Sequence, residues 1–264
     1  LLDKMDFDRG EMIILLLLSL TGMMALVSTR DLLAIYVSLE LASLPLIALG
    51  AIRKNGYALE VGVKFLVMSS VSTATLLYGF IILYGLTGST NLDQILYELK
   101  NMDSLTPALM FSIVAIIAGF GFKMSLVPWQ NWVPDFYQGA PVIVVAFVSV
   151  ASKAAAFAVV VRIFLLAMNH DGVTQYWIAI FAVISALTMI VGNLIALRQT
   201  SFKRLLGYSS ISQAGYMLIG IASISTGSLG LVGLLYYLAG YAFTNLTVFF
   251  TYGAILSKSD NDEI

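Results

Sequence analysis

Long apolar runs alternate with short polar stretches along the whole of this 264-residue chain. A helix that crosses a lipid bilayer needs about 20 mostly apolar residues. Continuous runs of this length form helices, because a segment in lipid must satisfy all of its backbone hydrogen bonds internally. The pattern therefore predicts an all-α, polytopic transmembrane helix bundle with about eight spans, at 11–28, 32–52, 58–86, 106–127, 141–168, 174–197, 204–224 and 228–256.

The polar stretches between these runs are short, and the longest extends from Thr87 to Thr106. None of them is long enough to fold as a separate soluble domain. We therefore expect residues 1–264 to form a single transmembrane domain.

Composition narrows the classes of protein further. Apolar residues make up 59% of the chain and charged residues 11%, too few polar residues to cover the surface of a soluble domain. We therefore expect the lipid bilayer as its main surroundings. The formal net charge of −1 excludes the basic surface of a nucleic-acid-binding protein.

The residues that hold cofactors are scarce. The chain contains no cysteine, which excludes a thiolate-bound iron–sulfur cluster and a cysteine zinc site. Its one histidine, His170, lies in a polar stretch. The sequence therefore predicts no cofactor and no metal in this chain.

Basic residues outside the spans are unevenly distributed. With eight spans, eight of these residues lie on the side of residue 1, and two, Arg30 and Lys100, lie on the opposite side. Loops on the cytoplasmic side of a membrane are enriched in lysine and arginine. We therefore expect residue 1 on the cytoplasmic side, or on the matrix side in a mitochondrion.

Glu40 is the only carboxylate deep inside a predicted span, and four basic residues that do not belong to the loops also lie inside spans: Lys64, Lys123, Lys153 and Arg162. An ionisable group is costly in this position and normally faces a cavity or a partner. These five residues are the starting point for a functional interpretation.

Glu40 lies near the middle of the second span, with Tyr36 one turn before it and Ser43 three residues after it. Hydroxyl groups therefore share its helical face. Pro45 leaves the carbonyl of Leu41 without its helical donor, which places another acceptor nearby. We interpret Glu40 as a proton-binding carboxylate. The alternative is a structural carboxylate that is neutral or held in one fixed ion pair.

Lys123 lies close to a predicted break in the fourth span. Gly119 and Gly121 precede it, and Pro128 follows it. Residues 128–140 cannot form a regular span, so we expect a broken helix near 121–140. Broken helices with charged groups at the break are found in transporters, where helix ends and freed carbonyls bind ions. The alternative is a lysine whose side chain extends to the membrane surface.

Lys153 is at least twelve residues from either end of the fifth span, too far for its side chain to reach water. Ser149 lies one turn before it and offers a hydrogen-bond partner, and three alanines follow it. Burial disfavours the charged form of a lysine, so this residue is suited to gain and lose a proton. The alternative is a permanent ion pair.

Three further positions have open interpretations. Lys64 follows Glu60 by four residues, so a proton-transfer role and an ordinary ion pair along one helix are both consistent with it. Arg162 is interpreted as an interfacial anchor or a structural pair. The segment 203–216, with Ser210, either lines a hydrated path or forms hydrogen bonds between helices.

Five motifs extend through the chain in a fixed order: SLELASLP around Glu40, GFGFKMSLVP at 119–128, PDFYQGAP at 134–141, ASK at 151–153 and FKRLLGYSSISQAGY at 202–216. Together they resemble the antiporter-like subunits of proton-translocating NADH:quinone oxidoreductase, respiratory complex I. The form that they resemble most is subunit N, called subunit 2 in mitochondria.

The resemblance implies a fold of fourteen transmembrane helices with two inverted five-helix repeats. The eight spans would be the fourth to eleventh helices, and the chain a fragment of that fold. The resemblance also implies that Glu40, Lys64, Lys123 and Lys153 translocate protons. A histidine that is common just after the proline of the broken helix is Gln130 here. The family's lysine on the twelfth helix has no counterpart.

The function implied by this resemblance is proton translocation driven by redox chemistry in other subunits. Flavin, iron–sulfur clusters and quinone would belong to those partners, and the other membrane-arm subunits would contact this chain. The membrane would be a bacterial plasma membrane or a mitochondrial inner membrane. Pro128, Gln130, Ser149 and Ser210 would form the helix break and a hydrated path.

Two alternatives stay open. One is a subunit of a Na⁺/H⁺ antiporter or of a membrane-bound hydrogenase, which share the same plan of lysine and glutamate residues. The other is a membrane scaffold that does not pump.

Overall fold

The computed structural model describes residues 8–102, 105–170, 172–224 and 229–256, and most of these residues are helical. A π-helical turn at Val148–Ser152 joins the helices Val142–Phe147 and Lys153–Leu166 as one continuous rod. The α-helices of the described residues are α1 (Arg9–Ser28), α2 (Leu32–Ala51), α3 (Gly56–Thr87), α4 (Leu92–Lys100), α5 (Pro107–Lys123), α6 (Trp132–Gly139), α7 (Val142–Phe147), α8 (Lys153–Leu166), α9 (Val173–Ala196), α10 (Phe202–Ala222) and α11 (Leu229–Leu256).

The all-α membrane fold predicted from the apolar runs is confirmed. Each of the eight predicted segments is helical along most of its length. Within the described residues, six helices are long and apolar enough to cross a membrane, and α5 is a shorter apolar helix. The seventh predicted segment, which forms α10, is less apolar because three serines and a glutamine lie between positions 209 and 213. The chain is a multi-pass membrane protein.

The predicted end of the fourth span was wrong by four residues. The prediction continued to residue 127, but α5 ends at Lys123. The next residues close the helix: Ser125 is left-handed, with φ of 65°, and its N–H donates to the Phe122 carbonyl at 3.1 Å. The N–H of Leu126 donates to the Gly121 carbonyl at 2.8 Å. This is a Schellman termination, so the helix ends before Pro128 can interrupt it.

The apolar residues that follow Lys123 do not belong to a membrane span. Met124 and Leu126 are fully buried, so they pack inside the protein rather than continue a span. A broken helix was predicted near 121–140. In this segment α5 ends at Lys123, and the short helix α6 is the only other helix.

The stretch predicted as a polar loop between Thr87 and Thr106 contains the short helix α4. Asn91 caps its N-terminus, and its apolar side chains Leu92, Ile95 and Leu99 are buried. Sequence reasoning missed this helix because it is shorter than a span and has many polar residues.

The start of α4 is joined to the start of α2. The Thr90 hydroxyl donates to the Asp31 carboxylate, whose other oxygen accepts from the backbone N–H groups of Leu33 and Ala34. The hydroxyl of Thr90, followed by these backbone donors, lowers the pKa of Asp31. An ionised Asp31 therefore caps α2 and connects the two loops.

The helices pack mainly in pairs, α1 with α2, α3 with α5 and α9 with α10. Small residues permit close approach, as is common between membrane helices. A Cβ atom added to Gly119 would lie 2.5 Å from the Leu76 side chain, and the Ser72 hydroxyl donates to the Gly119 carbonyl at 2.7 Å. The α3–α5 pair is thereby held rigidly beside Lys123.

Arg162 has a structural role, one of the two interpretations that the sequence left open. Its guanidinium donates to the carbonyls of Val27 and Ser28. These carbonyls lie at the C-terminus of α1, where a positive charge is stabilising. Arg162 therefore connects α8 to α1.

Candidate functional site

The end of α5 places Lys123 inside the bundle. With 17 residues, α5 is about 26 Å long, shorter than the roughly 30 Å of a hydrocarbon core. The chain then turns back, and a Cβ atom on Gly121 would lie 2.5 Å from the Trp129 ring. Glycine at 121 is therefore required for this turn. The position also brings the partial negative charge of a helix C-terminus to the ammonium group.

The ammonium group of Lys123 is bound by two hydroxyl groups from neighbouring helices. It donates to Ser43 Oγ of α2 at 2.6 Å and to Ser69 Oγ of α3 at 2.9 Å. Two aromatic rings also face it, Phe122 at 5.2 Å and Phe65 at 5.9 Å. Such ring faces attract a cation.

Glu40 lies close enough to Lys123 for the two charges to interact electrostatically. The carboxylate is half-buried and lies one turn before Ser43, on the helical face that the sequence predicted. The two groups do not form a direct ion pair, since the ion pairs of the described residues involve other side chains. The structure therefore brings Glu40 and Lys123 together with a serine hydroxyl at the same place.

A small cavity lies between Lys123 and the start of α8. Its volume of about 20 Å³ is enough for one water molecule. The polar groups in its lining belong to Ser43, Lys123 and Ser152, and Ala155 and Ala156 form part of its opposite wall. The alanines after Lys153 thus leave space, as the sequence suggested.

Lys153 is 3% exposed and is the first residue of α8, directly after the π-helical turn. Its ammonium group donates to the Ser210 carbonyl at 2.5 Å and to Ser210 Oγ at 2.6 Å. The Tyr241 ring lies 5.2 Å away. π-Helical turns are frequent at functional sites. The position of this turn could not be predicted from the apolar sequence around it.

Several polar side chains continue from Lys153 into a buried network, which we call the Lys153 cluster. Tyr137 donates to Ser210 Oγ at 2.9 Å, and Tyr241 Oη lies 2.8 Å from the same oxygen. The cluster comprises Tyr137, Ser149, Lys153, Ser210, Tyr241 and Asn245. No acidic side chain of the described residues acts on Lys153.

Asn245 closes the Lys153 cluster. Its amide group donates to Ser149 Oγ at 2.6 Å and to Tyr241 Oη at 3.2 Å. Ser149 in turn donates to the Ala146 carbonyl at 2.8 Å. Ser149 and Ser210 thus share one network with Lys153, but only Ser210 contacts its ammonium group directly.

Lys64 lies apart from the two buried lysines. Its side chain is 49% exposed and pairs with Glu60 at 2.7 Å and with Asp135 at 3.3 Å. Asp135 also binds Arg204 at 2.8 Å. The first of these pairs is the ordinary i, i+4 pair that the sequence left open as an alternative.

Gln130 lies between α5 and α6, two residues after Pro128. It is 9% exposed, and its Oε1 atom has no hydrogen-bond partner among the described residues. A buried amide oxygen without a donor from the protein normally accepts a hydrogen bond from water or from another donor. The structure does not bring Gln130 or Pro128 into the hydrogen bonds of either lysine.

Sequence comparison identifies the family to which this arrangement belongs. Residues 29–264 match the profile of the family described as NADH:quinone oxidoreductase/Mrp antiporter, TM. The chain belongs to this family. It is 43% identical over 263 residues to NADH-quinone oxidoreductase subunit N of Heliobacterium modesticaldum, covering 99% of this chain and 54% of the relative. The resemblance predicted from the motifs is thereby confirmed.

Two solved structures show the same fold as this chain. Respiratory complex I from Thermus thermophilus with bound aureothin contains a chain that matches with a TM-score of 0.77 at 36% identity, covering 93% of this chain and 52% of that one. An archaeal membrane-bound sulfane sulfur reductase matches with a TM-score of 0.82 at 26% identity, covering 96% and 50%. The chain spans about half the length of the relatives that it matches.

Some side chains of these sites were not predicted from the sequence. Ser69 and Phe65 at Lys123, and Tyr137, Tyr241 and Asn245 at Lys153, come from helices far away in the chain. Except for Phe65, the only signal that these residues share is a hydroxyl or amide group. That signal is weak, because such groups also bond between helices without further function.

Metal-ligating residues do not cluster in the described ranges, where no group of three or more His, Cys, Asp or Glu could hold a metal ion.

Proposed function

We propose that this chain is a proton-translocating membrane subunit of an NADH:quinone oxidoreductase. The observation that carries the proposal is the pair of lysines inside one helical bundle. Each of them is bound by serine hydroxyls, and a water-sized cavity lies between Lys123 and the helix that begins with Lys153. Buried lysines in a membrane bundle are expected at proton pathways.

The first step in this proposal takes place at Glu40 and Lys123. A carboxylate close to an ammonium group favours its charged form. When Glu40 moves away or takes up a proton, Lys123 loses this stabilisation and releases its proton. The energy difference is modest, since a tenfold change in a protonation equilibrium corresponds to about 1.4 kcal/mol.

The second step moves the proton towards Lys153. Water in the cavity accepts it from Lys123 beside Ser152, and Lys153 then takes it up at the start of α8. Neither step requires a redox centre in this chain. The redox reaction that drives the cycle would take place in partner subunits that hold flavin, iron–sulfur clusters and quinone.

This function also determines the location and partners that we propose. The chain would lie in a bacterial plasma membrane or a mitochondrial inner membrane, beside other membrane-arm subunits of complex I. Residue 1 would lie on the cytoplasmic or matrix side. Two of the basic residues on which this orientation depends, Lys4 and Lys258, lie outside the described residues, and Lys203 is buried.

A second candidate function is a subunit of a cation/proton antiporter, since the family description includes the Mrp antiporter. Purification of the native complex distinguishes the two. Flavin and iron–sulfur subunits that co-purify with this chain would support an oxidoreductase, whereas antiporter subunits alone would support the second candidate.

Proton translocation is tested in the purified complex reconstituted into liposomes. We expect Lys153→Ala and Glu40→Ala to abolish or sharply reduce the number of protons translocated per NADH oxidised. Lys54→Ala is the matched control, because Lys54 is an exposed lysine in a weak pair with Glu11. Full pumping by Lys153→Ala or by Glu40→Ala would overturn the role of that residue, and full pumping by both would favour the scaffold alternative.

A further inference from the structure

In the Lys153 cluster, the donors that bind a hydroxyl oxygen determine where that hydroxyl donates its own hydrogen. Ser210 Oγ accepts hydrogen bonds from the Lys153 ammonium group and from the Tyr137 hydroxyl. A serine hydroxyl has two acceptor positions and one hydrogen. Because both acceptor positions are used, the Ser210 hydrogen is donated to Tyr241 Oη, 2.8 Å away.

The partners of the Tyr241 hydroxyl also determine where its hydrogen points. Tyr241 Oη accepts from Ser210 and from the Asn245 amide group at 3.2 Å. Its own hydrogen is therefore left for the Tyr137 oxygen, which lies within interaction range, or for water beyond the cluster. The hydrogen bonds lead from Lys153 through Ser210 to Tyr241.

Tyr241 also lies at an opening of the bundle. It lines a groove of about 380 Å³ between α10 and α11, called here the α10–α11 groove. Most of its lining is apolar, but it includes the polar side chains of Ser209, Gln213, Thr244 and Asn245. Polar groups on the outside of a membrane bundle are costly in contact with lipid, so this groove is suited to water or to polar protein groups.

We propose that Ser210 and Tyr241 relay protons from Lys153 to the α10–α11 groove, an inference that rests on the proposed function. An N–H bond of the Lys153 ammonium group breaks as an O–H bond forms at Ser210. The former Ser210 hydrogen passes to Tyr241 Oη, and the former Tyr241 hydrogen passes to water in the groove. One proton enters the relay and one leaves it, and both hydroxyl groups end neutral.

Tyr137 provides a matched control within the same cluster. Its hydroxyl lies 2.9 Å from Ser210 Oγ, almost the same distance as that of Tyr241. Both tyrosines are buried, but Tyr137 is 2% exposed and lines neither the α10–α11 groove nor the cavity at Lys123. Loss of either hydroxyl removes one hydrogen bond to Ser210, and only loss of the Tyr241 hydroxyl interrupts the relay.

The test compares Tyr241→Phe with Tyr137→Phe in the native complex reconstituted into liposomes. We expect Tyr241→Phe to reduce protons translocated per NADH oxidised by at least about tenfold, because positioned proton-transfer groups contribute large rate factors. Tyr137→Phe should cause a clearly smaller loss, because it removes a hydrogen bond to Ser210 but leaves the relay complete. Equal losses in the two variants would show a structural role, and an unchanged Tyr241→Phe would exclude the relay. Either result overturns the proposal.

A second pair of variants tests the groove without altering the cluster. Gly240 lines the α10–α11 groove, Gly233 lines a separate groove, and a Cβ atom on either meets nothing within 4 Å. Gly240→Leu should reduce pumping and Gly233→Leu should not, at equal amounts of assembled complex. Equal pumping by both would overturn the groove as the proton acceptor.

The variant Lys153→Ala distinguishes failure of the relay from failure of the proposed role of Lys153. If Lys153→Ala pumps normally, the proposed role of Lys153 fails, and the relay fails with it. If it does not pump but Tyr241→Phe does, only the relay fails.

Discussion

Lys123 and Lys153 bind similar kinds of partner but have different surroundings. Each ammonium group donates to serine hydroxyls and faces an aromatic ring. Lys123 has in addition the electrostatic influence of Glu40 and the C-terminus of α5. Lys153 has no carboxylate of the described residues beside it, and its partners are the neutral dipoles of Ser210 and the Tyr241 ring.

This difference suggests a division of roles within the proposed pump. The positive charge at Lys123 is stabilised by an opposite charge, so a movement of Glu40 changes it directly. The positive charge at Lys153 is stabilised only by neutral dipoles, so a movement of Glu40 does not change that stabilisation directly. We infer that Lys123 responds to the driving event, whereas Lys153 receives and passes on the proton.

The largest effect is expected from closing the cavity between Lys123 and the start of α8. Ala156 lines the cavity, whereas Ala154 does not. Ala156→Leu should lower protons translocated per NADH oxidised by about tenfold or more, because it displaces the water that carries the proton. Reconstituted complex with Ala154→Leu is the control. Normal pumping by Ala156→Leu would show that the proton does not use this cavity.

A smaller effect is expected in thermal stability. An unpaired buried charge is destabilising, and a hydrophobic residue of similar volume often stabilises its site. Lys153→Met should therefore raise the melting temperature by about 2–4 °C, the shift that about 1 kcal/mol produces in a protein of this size. Lys123→Met should gain less, because it leaves Glu40 without its cation.

Calorimetry of the detergent-solubilised complex measures these shifts, with Lys54→Met as the exposed control. A lower melting temperature for Lys153→Met would mean that the lysine stabilises the bundle, and would argue against a site maintained for function at the expense of stability.

The smallest effect is expected at Lys64. Its ammonium group is half-exposed and paired with Glu60 and Asp135, and exposed pairs contribute about 0–1 kcal/mol. Lys64→Ala should change pumping by less than about twofold, because its exposed ion pairs are structural. Dye-quenching assays beside Lys153→Ala measure this. A loss as large as that of Lys153→Ala would restore the proton-transfer role that the motif resemblance implies.

Charge and helical periodicity account for the parts of the site that could be predicted. Glu40, Lys123 and Lys153 stand out because each is expensive in an apolar run, and the Tyr36–Ser43 face of Glu40 follows from helix geometry. The place where α5 ends could not be predicted in the same way. Pro128 is the visible helix breaker, yet the left-handed Ser125 and its Schellman bonds end the helix first.

The apolar runs and the scarce charges determined the class of this protein, a multi-pass helical bundle with ionisable groups inside it. A local pattern suffices for this, because lipid imposes the same length and polarity on every span. Only the tertiary structure decided which groups meet. Ser43 and Ser69 bind Lys123, and Ser210 and Tyr241 surround Lys153. Contacts between helices far apart in the chain depend on packing, which no single run of residues encodes.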